Sequence, residues 1–363
     1  MIPVCEPLLG GNEEQYVLDC IRSGWVSSAG KYVDEFEQRF AAYCGCRYGV
    51  STTSGTTALH LALASLGIGK GDQVLVPTLT IAACAFAVLY TGATPVFVDC
   101  EPAVFTMDAW QLEEVITPQT RAIMPVHLYG HPCDMDRVRE FADGHNLFVI
   151  EDAAEAHGAL YKGNRAGSLG DIACFSFYAN KVITTGEGGM IATNNAAVAD
   201  RARRLKDLAH DPGRRFYHTD IGFNYRLTNV QAAIGLAQLE RIDELVEMRR
   251  VNAAKYTAEL HHNCGITTPV EMWGSRSSYW MYAILAGSKD MRDGLRSHLA
   301  DKQIGTRTFF IPMHQQEIFK EYSKGIFPVA DNVSDRGLYL PSGSGLTDEQ
   351  IGTVCEAVKG YLQ

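Results

Sequence analysis

Between about residue 50 and residue 195, short apolar runs alternate with helical patterns, and this alternation constrains the fold of the 363-residue chain most strongly. Strands of a parallel sheet are covered on both faces and therefore form nearly continuous apolar runs. Such runs occupy 74–76, 95–98, 122–125, 147–150 and 173–177. Spacing suited to helices occurs between them, over 57–66, 108–116 and 134–143. The sequence therefore predicts an α/β domain built on a central sheet.

The pattern changes in the last third of the chain. A helical stripe begins near Asn229 and continues to about Met248 as one long helix that leads out of the large domain. It is followed by strand-like, helical and extended segments over 279–285, 292–299 and 307–313. This mixture predicts a smaller α+β unit. We predict a large domain over residues 1–245 and a small C-terminal domain over residues 246–363.

Composition and hydropathy argue against several classes of protein. The longest uninterrupted apolar run, over 81–90, is far shorter than the roughly 20 residues that a membrane helix needs. Residues 1–7 lack the basic start and apolar core of a signal peptide. The formal charge of −10 is unlike the basic surfaces that bind nucleic acid, and the ten scattered cysteines lack the spacing of a zinc site. We therefore expect a cytoplasmic protein without a metal, which contacts neither membranes nor nucleic acid.

The first candidate site residues precede a helical pattern, where Ser54, Gly55 and Thr56 stand in the order Ser-Gly-Thr. Backbone N–H groups at a helix N-terminus bind phosphate, and glycine lets a ligand approach the backbone closely. An ordinary helix cap explains the same residues equally well. This motif alone therefore leaves a phosphate site and a plain cap open.

Asp152 ends the apolar run over 147–150 with a carboxylate. A carboxylate at the end of a buried strand is costly unless it has a partner. The protonated ring nitrogen of a pyridine cofactor would supply one, and Asp152 would then keep that ring an electron sink. A metal-binding or capping carboxylate is the alternative, and the signal is weak by itself.

Lys181 stands between the apolar run over 173–177 and a glycine-rich turn over 184–189. We expect it in a desolvated cleft, where burial lowers the pKa of an amine and favours Schiff-base chemistry. Ser176, five residues earlier, can bind the phosphate of a cofactor. A surface lysine is the alternative, but a lysine is rarely placed beside a fully apolar strand unless it has a functional role.

A polar loop over 221–229 precedes the last long helical pattern, where Thr228 or Asn229 can also cap the helix. The four sites follow one another in the order expected for a pyridoxal-phosphate site at the carboxyl ends of strands. Fingerprints of dinucleotide, P-loop, zinc-protease and serine-hydrolase sites are absent from the sequence. Those four interpretations therefore lose their main support.

Taken together, these segments show that the chain resembles the DegT/DnrJ/EryC1/StrS family of sugar aminotransferases over nearly its whole length. The matching segments are 23–28, 54–60, 125–135, 151–156, 180–190, 232–240 and 312–314. The resemblance implies an aspartate-aminotransferase-like large domain of PLP fold type I with a mixed central sheet, and a small α+β C-terminal domain. It also implies pyridoxal 5'-phosphate as cofactor, glutamate as amino donor, and a homodimer with shared active sites.

The resemblance assigns roles to the matched cofactor residues. Lys181 is implied as the Schiff-base lysine and proton shuttle, and Asp152 as the partner of the ring nitrogen. The phosphate site is implied at Gly55, Thr56 and Ser176.

Three further cofactor contacts are implied. Asn224 would reach the phosphate of the neighbouring subunit's cofactor, and Glu155 would lie beside the phenolic oxygen. Ile81 belongs to the segment that covers the ring, where perosamine-type relatives usually carry Tyr. The missing aromatic contact would be worth about 0.5–1.5 kcal/mol.

Substrate residues are implied at Ser28, Arg215, Arg307 and His314. Arg307 and His314 match a C-terminal segment that approaches the sugar. Arg215 belongs to a set of arginines around the Asn224 loop that could bind a diphosphate or form surface ion pairs.

The similarity of segments 127–135 and 186–190 to perosamine-type members implies a specific substrate. It is GDP-4-keto-6-deoxy-D-mannose, aminated at C4 to GDP-perosamine. UDP- or dTDP-linked sugars, and 3-keto instead of 4-keto sugars, stay open because the sequence does not reveal the base-recognising residues. A sugar 3-dehydratase would carry His at the position of Lys181, and a non-catalytic binding protein would tolerate losing Lys181 or Asp152.

Overall fold

The computed structural model describes residues 1–211, 213–262 and 265–362, and the side chain of Arg215 lies outside the described part. The helices are α1 Glu13–Ser23, α2 Lys31–Cys44, α3 Gly55–Leu66, α4 Ala83–Tyr90, α5 Leu112–Val115, α6 Met135–His145, α7 Ala196–Lys206, α8 Asn229–Leu239, α9 Ile242–Leu260, α10 Lys289–Asp301, α11 Pro328–Arg336 and α12 Asp348–Leu362. The strands are β1 Tyr48–Thr52, β2 Gln73–Pro77, β3 Thr94–Val98, β4 Thr120–Ile123, β5 Phe148–Asp152, β6 Leu160–Tyr161, β7 Asn164–Arg165, β8 Ile172–Ser176, β9 Gly189–Thr193, β10 His210–Asp211, β11 Arg214–His218, β12 Ile266–Thr267, β13 Ser275–Arg276, β14 Tyr282–Ala286, β15 Arg307–Thr308 and β16 Gly337–Leu340.

A seven-stranded sheet forms the centre of the large domain, in the order β1-β9-β8-β5-β4-β2-β3. The pairs from β8 to β3 are parallel, whereas β9 runs antiparallel to both β8 and β1. All five apolar runs that predict strands lie in this sheet, as β2, β3, β4, β5 and β8. The predicted α/β class and the mixed central sheet are therefore confirmed.

The parallel strands bring their carboxyl ends to one edge of the sheet. There β5 ends at Asp152 and β8 ends at Ser176. Helix α3 packs against β8 and β9, so its first turn lies close to the same edge. Residues from three separate segments therefore meet where an open α/β sheet places its ligands.

The prediction of one long helix from Asn229 to Met248 is wrong, because the chain forms two helices, α8 and α9. The backbone leaves the helical region at Arg241, with φ −117° and ψ 9°. Acidic residues Asp243 and Glu244 follow in the first turn of α9, where they favour a new N-terminus. The apolar stripe continues across the break, so the sequence pattern alone does not reveal it.

The C-terminal part contains an antiparallel sheet in the order β12-β14-β16-β15, which confirms the predicted α+β unit. Helix α9 belongs to both units, because its first turns enter the main core and its later turns pack in a second core with β14 and β16. The predicted boundary at 245/246 falls within this helix and stays a prediction. Among the described residues, no helix combines the length and apolar character that crossing a membrane requires.

Candidate active site

A cavity of about 300 Å³ opens at the carboxyl edge of the central sheet. Eight of the residues that the sequence predicts for the site line it: Gly55, Thr56, Ile81, Asp152, Glu155, Ser176, Lys181 and Arg307. They come from strand ends, the start of α3, the segment before α4 and the small domain. The structure therefore brings distant parts of the sequence to one place.

The start of α3 forms part of the cavity wall. The Ser54 hydroxyl accepts from the Thr57 N–H at 3.2 Å, and the Thr57 hydroxyl accepts from the Ser54 N–H at 2.9 Å. This cap leaves the N–H groups of Gly55 and Thr56 available for a ligand. A Cβ atom at Gly55 would stand 2.8 Å from the Cβ of Ser176, so only glycine fits against that strand. The helix cap is therefore present, and it leaves these N–H groups free to bind an anion.

Asp152 is buried at the end of β5, with one oxygen accepting from the Ala154 N–H at 3.0 Å. The other oxygen accepts from the Cys84 thiol, also at 3.0 Å. Both partners are neutral, so the carboxylate charge remains available to a cationic group in the cavity. Sequence reasoning missed Cys84, because a lone cysteine in an apolar run carries no signal of this contact.

Glu151, the preceding residue, points to the opposite face of the sheet, as alternation along a strand requires. It accepts from the N–H groups of Gly167, Leu169 and Gly170 and lies 2.9 Å from the buried ring of His127. Burial opposes a charge on His127, but hydrogen bonds with Cys133 and Glu151 raise its pKa to about 10. Of the two neighbouring carboxylates, Glu151 therefore stabilises the fold through hydrogen bonds, and Asp152 faces the cavity.

Lys181 brings a primary amine to the cavity wall. Its Nζ lies 3.9 Å from Oε1 of Glu155 and 4.0 Å from the centroid of the Trp280 ring. Burial lowers the pKa of this amine, although Glu155 and Asp152 oppose the effect. That is the direction expected from the sequence. Trp280, which sequence reasoning missed, also donates its indole N–H to the Asn180 carbonyl at 2.9 Å.

Glu155 is a buried carboxyl group opposite Lys181. One oxygen accepts from the Tyr129 N–H at 2.7 Å. Burial raises its pKa to about 7, even though the Lys181 cation and the Tyr129 N–H pull it down. Glu155 is thus poised to hold or release a proton near neutral pH.

Glu155→Gln is expected to make the stability of the cofactor-free protein less dependent on pH. A carboxyl group whose pKa rises on folding contributes stability that is complete below its unfolded pKa and is lost as the pH rises through the folded value. For Glu155 this window runs from 4.5 to about 7, whereas glutamine stays neutral throughout. In thermal unfolding, the Tm of the wild type should fall relative to that of the variant as the pH rises from 4.5 to about 7. Parallel Tm curves would contradict the assignment.

Three of the predicted residues that the structure describes do not line this cavity within one chain. Asn224 lies in the loop before α8 and forms an antiparallel bridge with Asp207. Ser28 belongs to a loop tied to the start of α8 through the Ser27 carbonyl, which accepts from the Asn229 N–H at 2.6 Å. The side chain of Arg215 lies outside the described part of the structure.

His314 is the third of these residues. Its Nδ1 lies 2.7 Å from the Thr78 hydroxyl and its Nε2 lies 2.8 Å from Oδ1 of Asp331. Its ring also stacks on Phe327 at 4.4 Å between centroids. Both nitrogens are therefore occupied, and its role toward a sugar stays a prediction.

The lining of the cavity fits pyridoxal phosphate in its donor and acceptor chemistry. Available N–H groups at a helix N-terminus suit the phosphate, and a carboxylate with neutral partners suits a protonated ring nitrogen. A desolvated primary amine suits covalent attachment. Ile81, 45% exposed at the rim, offers the ring an aliphatic rather than an aromatic contact.

Comparison with known proteins places the chain among sugar aminotransferases. Residues 7–359 match the sequence profile of the DegT/DnrJ/EryC1/StrS aminotransferase family. The GDP-perosamine synthase of Caulobacter vibrioides is 48% identical over 99% of this chain and 98% of its own length. The GDP-perosamine synthase of Escherichia coli O157:H7 is 46% identical over 99% of this chain and 98% of its own length.

A solved structure agrees with these relatives. The sugar aminotransferase Spr1654 from Streptococcus pneumoniae, in its PLP form, is similar with a TM-score of 0.93 at 28% identity. The match covers 99% of this chain and 98% of that one. The resemblance found in the sequence is confirmed, and the chain belongs to the DegT/DnrJ/EryC1/StrS aminotransferase family.

Proposed function

We propose that this protein is a pyridoxal-phosphate-dependent aminotransferase that converts GDP-4-keto-6-deoxy-D-mannose to GDP-perosamine, with glutamate as amino donor. One observation carries the chemistry: the Lys181 amine, the Glu155 carboxyl group and Asp152 line one cavity beside the start of α3. The choice of sugar is supported by two relatives named GDP-perosamine synthase that match the chain over nearly its full length. A cytoplasmic location stays a prediction.

Pyridoxal phosphate, when bound, supplies a carbonyl group that exchanges amino groups and a ring that stabilises negative charge at the reacting carbon. The N–H groups of Gly55 and Thr56, together with the Ser176 hydroxyl, would hold its phosphate. Asp152 would keep a proton on its ring nitrogen through a charge-assisted hydrogen bond. These contacts would orient the cofactor against Lys181.

Lys181 has two tasks in this proposal. Its amine would attach the cofactor covalently. Once the amino donor has displaced the amine, Nζ would carry the proton between the two reacting carbons. Both tasks need a neutral amine, which its lowered pKa favours near neutral pH. Glu155, 3.9 Å away, can take up or return a proton as the charge on Nζ changes. The Trp280 ring covers the amine and limits the access of water.

Arg307 brings a guanidinium to the cavity from strand β15 of the small domain. A guanidinium binds a carboxylate or a phosphate through two parallel hydrogen bonds. Arg307 would therefore bind an anionic group of the substrates, either the glutamate carboxylate or the diphosphate of the sugar nucleotide. His314 would support the same segment from its contacts with Thr78 and Asp331.

We further propose a homodimer in which Asn224, Ser28 and Arg215 complete the partner's cavity. In one chain, Asn224 and Ser28 do not line the cavity of Lys181. The segment over 217–221, just before Asn224, exposes apolar side chains, with Tyr217 48% and Ile221 87% exposed. Exposed apolar patches mark interaction surfaces. Light scattering tests this proposal, and a fully active monomer would refute it.

The substrate assignment predicts the order of catalytic efficiencies. With glutamate as donor, kcat/KM should be at least about tenfold higher for the GDP-linked 4-keto-6-deoxy sugar than for its UDP- and dTDP-linked counterparts, since a site built for one base rejects others. Coupled assays of the three series measure this, and NMR of the product identifies the aminated carbon. A preference for a UDP or dTDP sugar would overturn the perosamine assignment and leave the aminotransferase chemistry standing.

A further inference from the structure

Arg249 is a buried arginine near the middle of α9, with only 2% of its surface exposed. Its guanidinium donates to the Ser344 hydroxyl, the Trp280, Ser342 and Lys181 carbonyls and the Cys5 sulfur, at 3.1, 2.7, 3.1, 3.5 and 3.3 Å respectively. These acceptors are all neutral. Within the described residues, therefore, no carboxylate is among its hydrogen-bond partners. A buried charge without an ionic partner is costly, so its position calls for a physical reason.

The partners of Arg249 belong to four segments that are far apart in the sequence. Ser342 and Ser344 follow β16 in the small domain, and Cys5 lies in the N-terminal segment. Trp280 precedes β14, and Lys181 belongs to the turn after β8. Since α9 itself packs in both cores, Arg249 joins the small domain to the wall of the active-site cavity.

The contacts converge on the turn that carries the lysine. Arg249 holds the Lys181 and Trp280 carbonyls directly. The Trp280 indole and the Cys5 thiol both donate to the Asn180 carbonyl, at 2.9 and 3.3 Å. The Lys181 amine then lies against the Trp280 ring. The backbone of the lysine and the wall beside its amine therefore share one anchor.

We propose that Arg249 is a positioning residue for Lys181, which fixes the Asn180–Lys181 turn and the Trp280 wall against each other. The guanidinium suits this task because its planar fork binds several acceptors in fixed directions. It acts through the lysine and does not line the cavity itself. This inference rests on the proposed function only for its kinetic consequence.

Charge supports the same role. Burial is the main cause that lowers the pKa of the Lys181 amine, and the Arg249 cation lowers it further. Glu155, Asp152 and Cys84 act in the opposite direction. The Arg249 cation, which has no carboxylate among its described hydrogen-bond partners, thus favours the neutral form of the lysine.

Three variants test the proposal. Arg249→Met removes both the charge and the donors, whereas Arg249→Lys keeps a cation and loses the fork. Arg276→Met is the matched control, because Arg276 forms a surface ion pair with Glu247 away from the cavity. Three quantities are measured for each protein. They are kcat and KM with the keto sugar, and the rate at which pyridoxal phosphate attaches to cofactor-free protein across pH. Visible absorbance follows the attachment, and borohydride reduction with peptide mass analysis locates it.

In Arg249→Met, kcat should fall at least about tenfold with little change in KM, because a small misplacement of the amine costs rate rather than binding. The pH midpoint of attachment should move to higher pH. Arg249→Lys should also have a lower kcat, while its pH midpoint of attachment stays closer to that of the wild type. Arg276→Met should match the wild type in both kcat and the pH midpoint. Wild-type kcat in Arg249→Lys would overturn the proposal, and this variant decides alone if Arg249→Met does not fold.

The two proposals fail in distinguishable ways. If the wild type aminates no keto sugar, the proposed function is wrong, yet the attachment profile still tests Arg249. If the sugar is aminated and the profiles of Arg249→Met and the wild type coincide with equal kcat, only the inference about Arg249 is wrong.

Discussion

Lys181→Ala is expected to abolish amino transfer while the protein remains folded. Only a primary amine at this position can attach the cofactor and then carry the proton between the reacting carbons. Loss of both tasks should lower kcat by at least about four orders of magnitude. The measurement is the rate of amino-sugar formation from the keto sugar and glutamate. Turnover near the wild-type rate would refute the assignment of Lys181.

The structure explains why this variant should fold. The neighbours of the Lys181 amine are the Glu155 carboxyl group, at 3.9 Å, and the face of the Trp280 ring. Removing the amine leaves neither neighbour with an unsatisfied buried hydrogen-bond donor. Glu155 can respond by keeping its proton, since burial already raises its pKa to about 7.

A matched control for this substitution is Lys206→Ala. The Lys206 side chain is 13% exposed, close to the 11% of Lys181, but it pairs with Glu37 at 2.7 Å outside the cavity. Its removal should cost stability without lowering kcat of the folded enzyme. Equal losses of kcat in the two variants would show that removing any buried lysine lowers kcat and that Lys181 has no special role.

The apolar pattern locates the parallel strands of the sheet but not its antiparallel strands β1 and β9, and the mixed sheet is implied only by the family resemblance. Apolar runs reveal β2, β3, β4, β5 and β8 because parallel strands are buried on both faces. Strand β1 is missed because it buries Ser51 and Thr52, which look exposed in a hydropathy pattern. Tertiary partners make this burial possible: the Ser51 hydroxyl donates to Glu37 at 2.6 Å. Such compensation depends on contacts between distant segments and leaves no local trace.

The same distinction applies to the candidate site. Asp152, Ser176 and Lys181 are found from the sequence because each follows a recognisable strand, and strand ends share one edge of the sheet. Cys84 and Trp280 are missed because their contacts arise only when α4 and the small domain pack against that edge. Asn224 does not line the cavity within one chain, so its contribution to a shared site rests on the family resemblance and stays a prediction.

Asp152→Asn is the second substitution with a large expected effect. An amide carries no negative charge, so the cofactor's ring nitrogen would lose the interaction that keeps it protonated. The ring would then stabilise the developing negative charge less well, and kcat should fall by about two to three orders of magnitude. Cofactor binding should persist, because the proposed phosphate-binding residues Gly55, Thr56 and Ser176 are unchanged. Rate and cofactor content, the latter from absorbance after denaturation, are measured on the same samples.

The fold should tolerate this amide. The asparagine oxygen can still accept from the Ala154 N–H, while its NH₂ group faces the Cys84 sulfur, a weak acceptor. Asp99→Asn is the matched control, since Asp99 is also buried and accepts from the N–H groups of Cys100 and Ala330 but does not line the cavity. Asp99→Asn should cost stability and keep kcat. If Asp152→Asn instead retained wild-type kcat at full cofactor content, the carboxylate would have no part in the chemistry, and the ring nitrogen would have to be held by another group of the cavity.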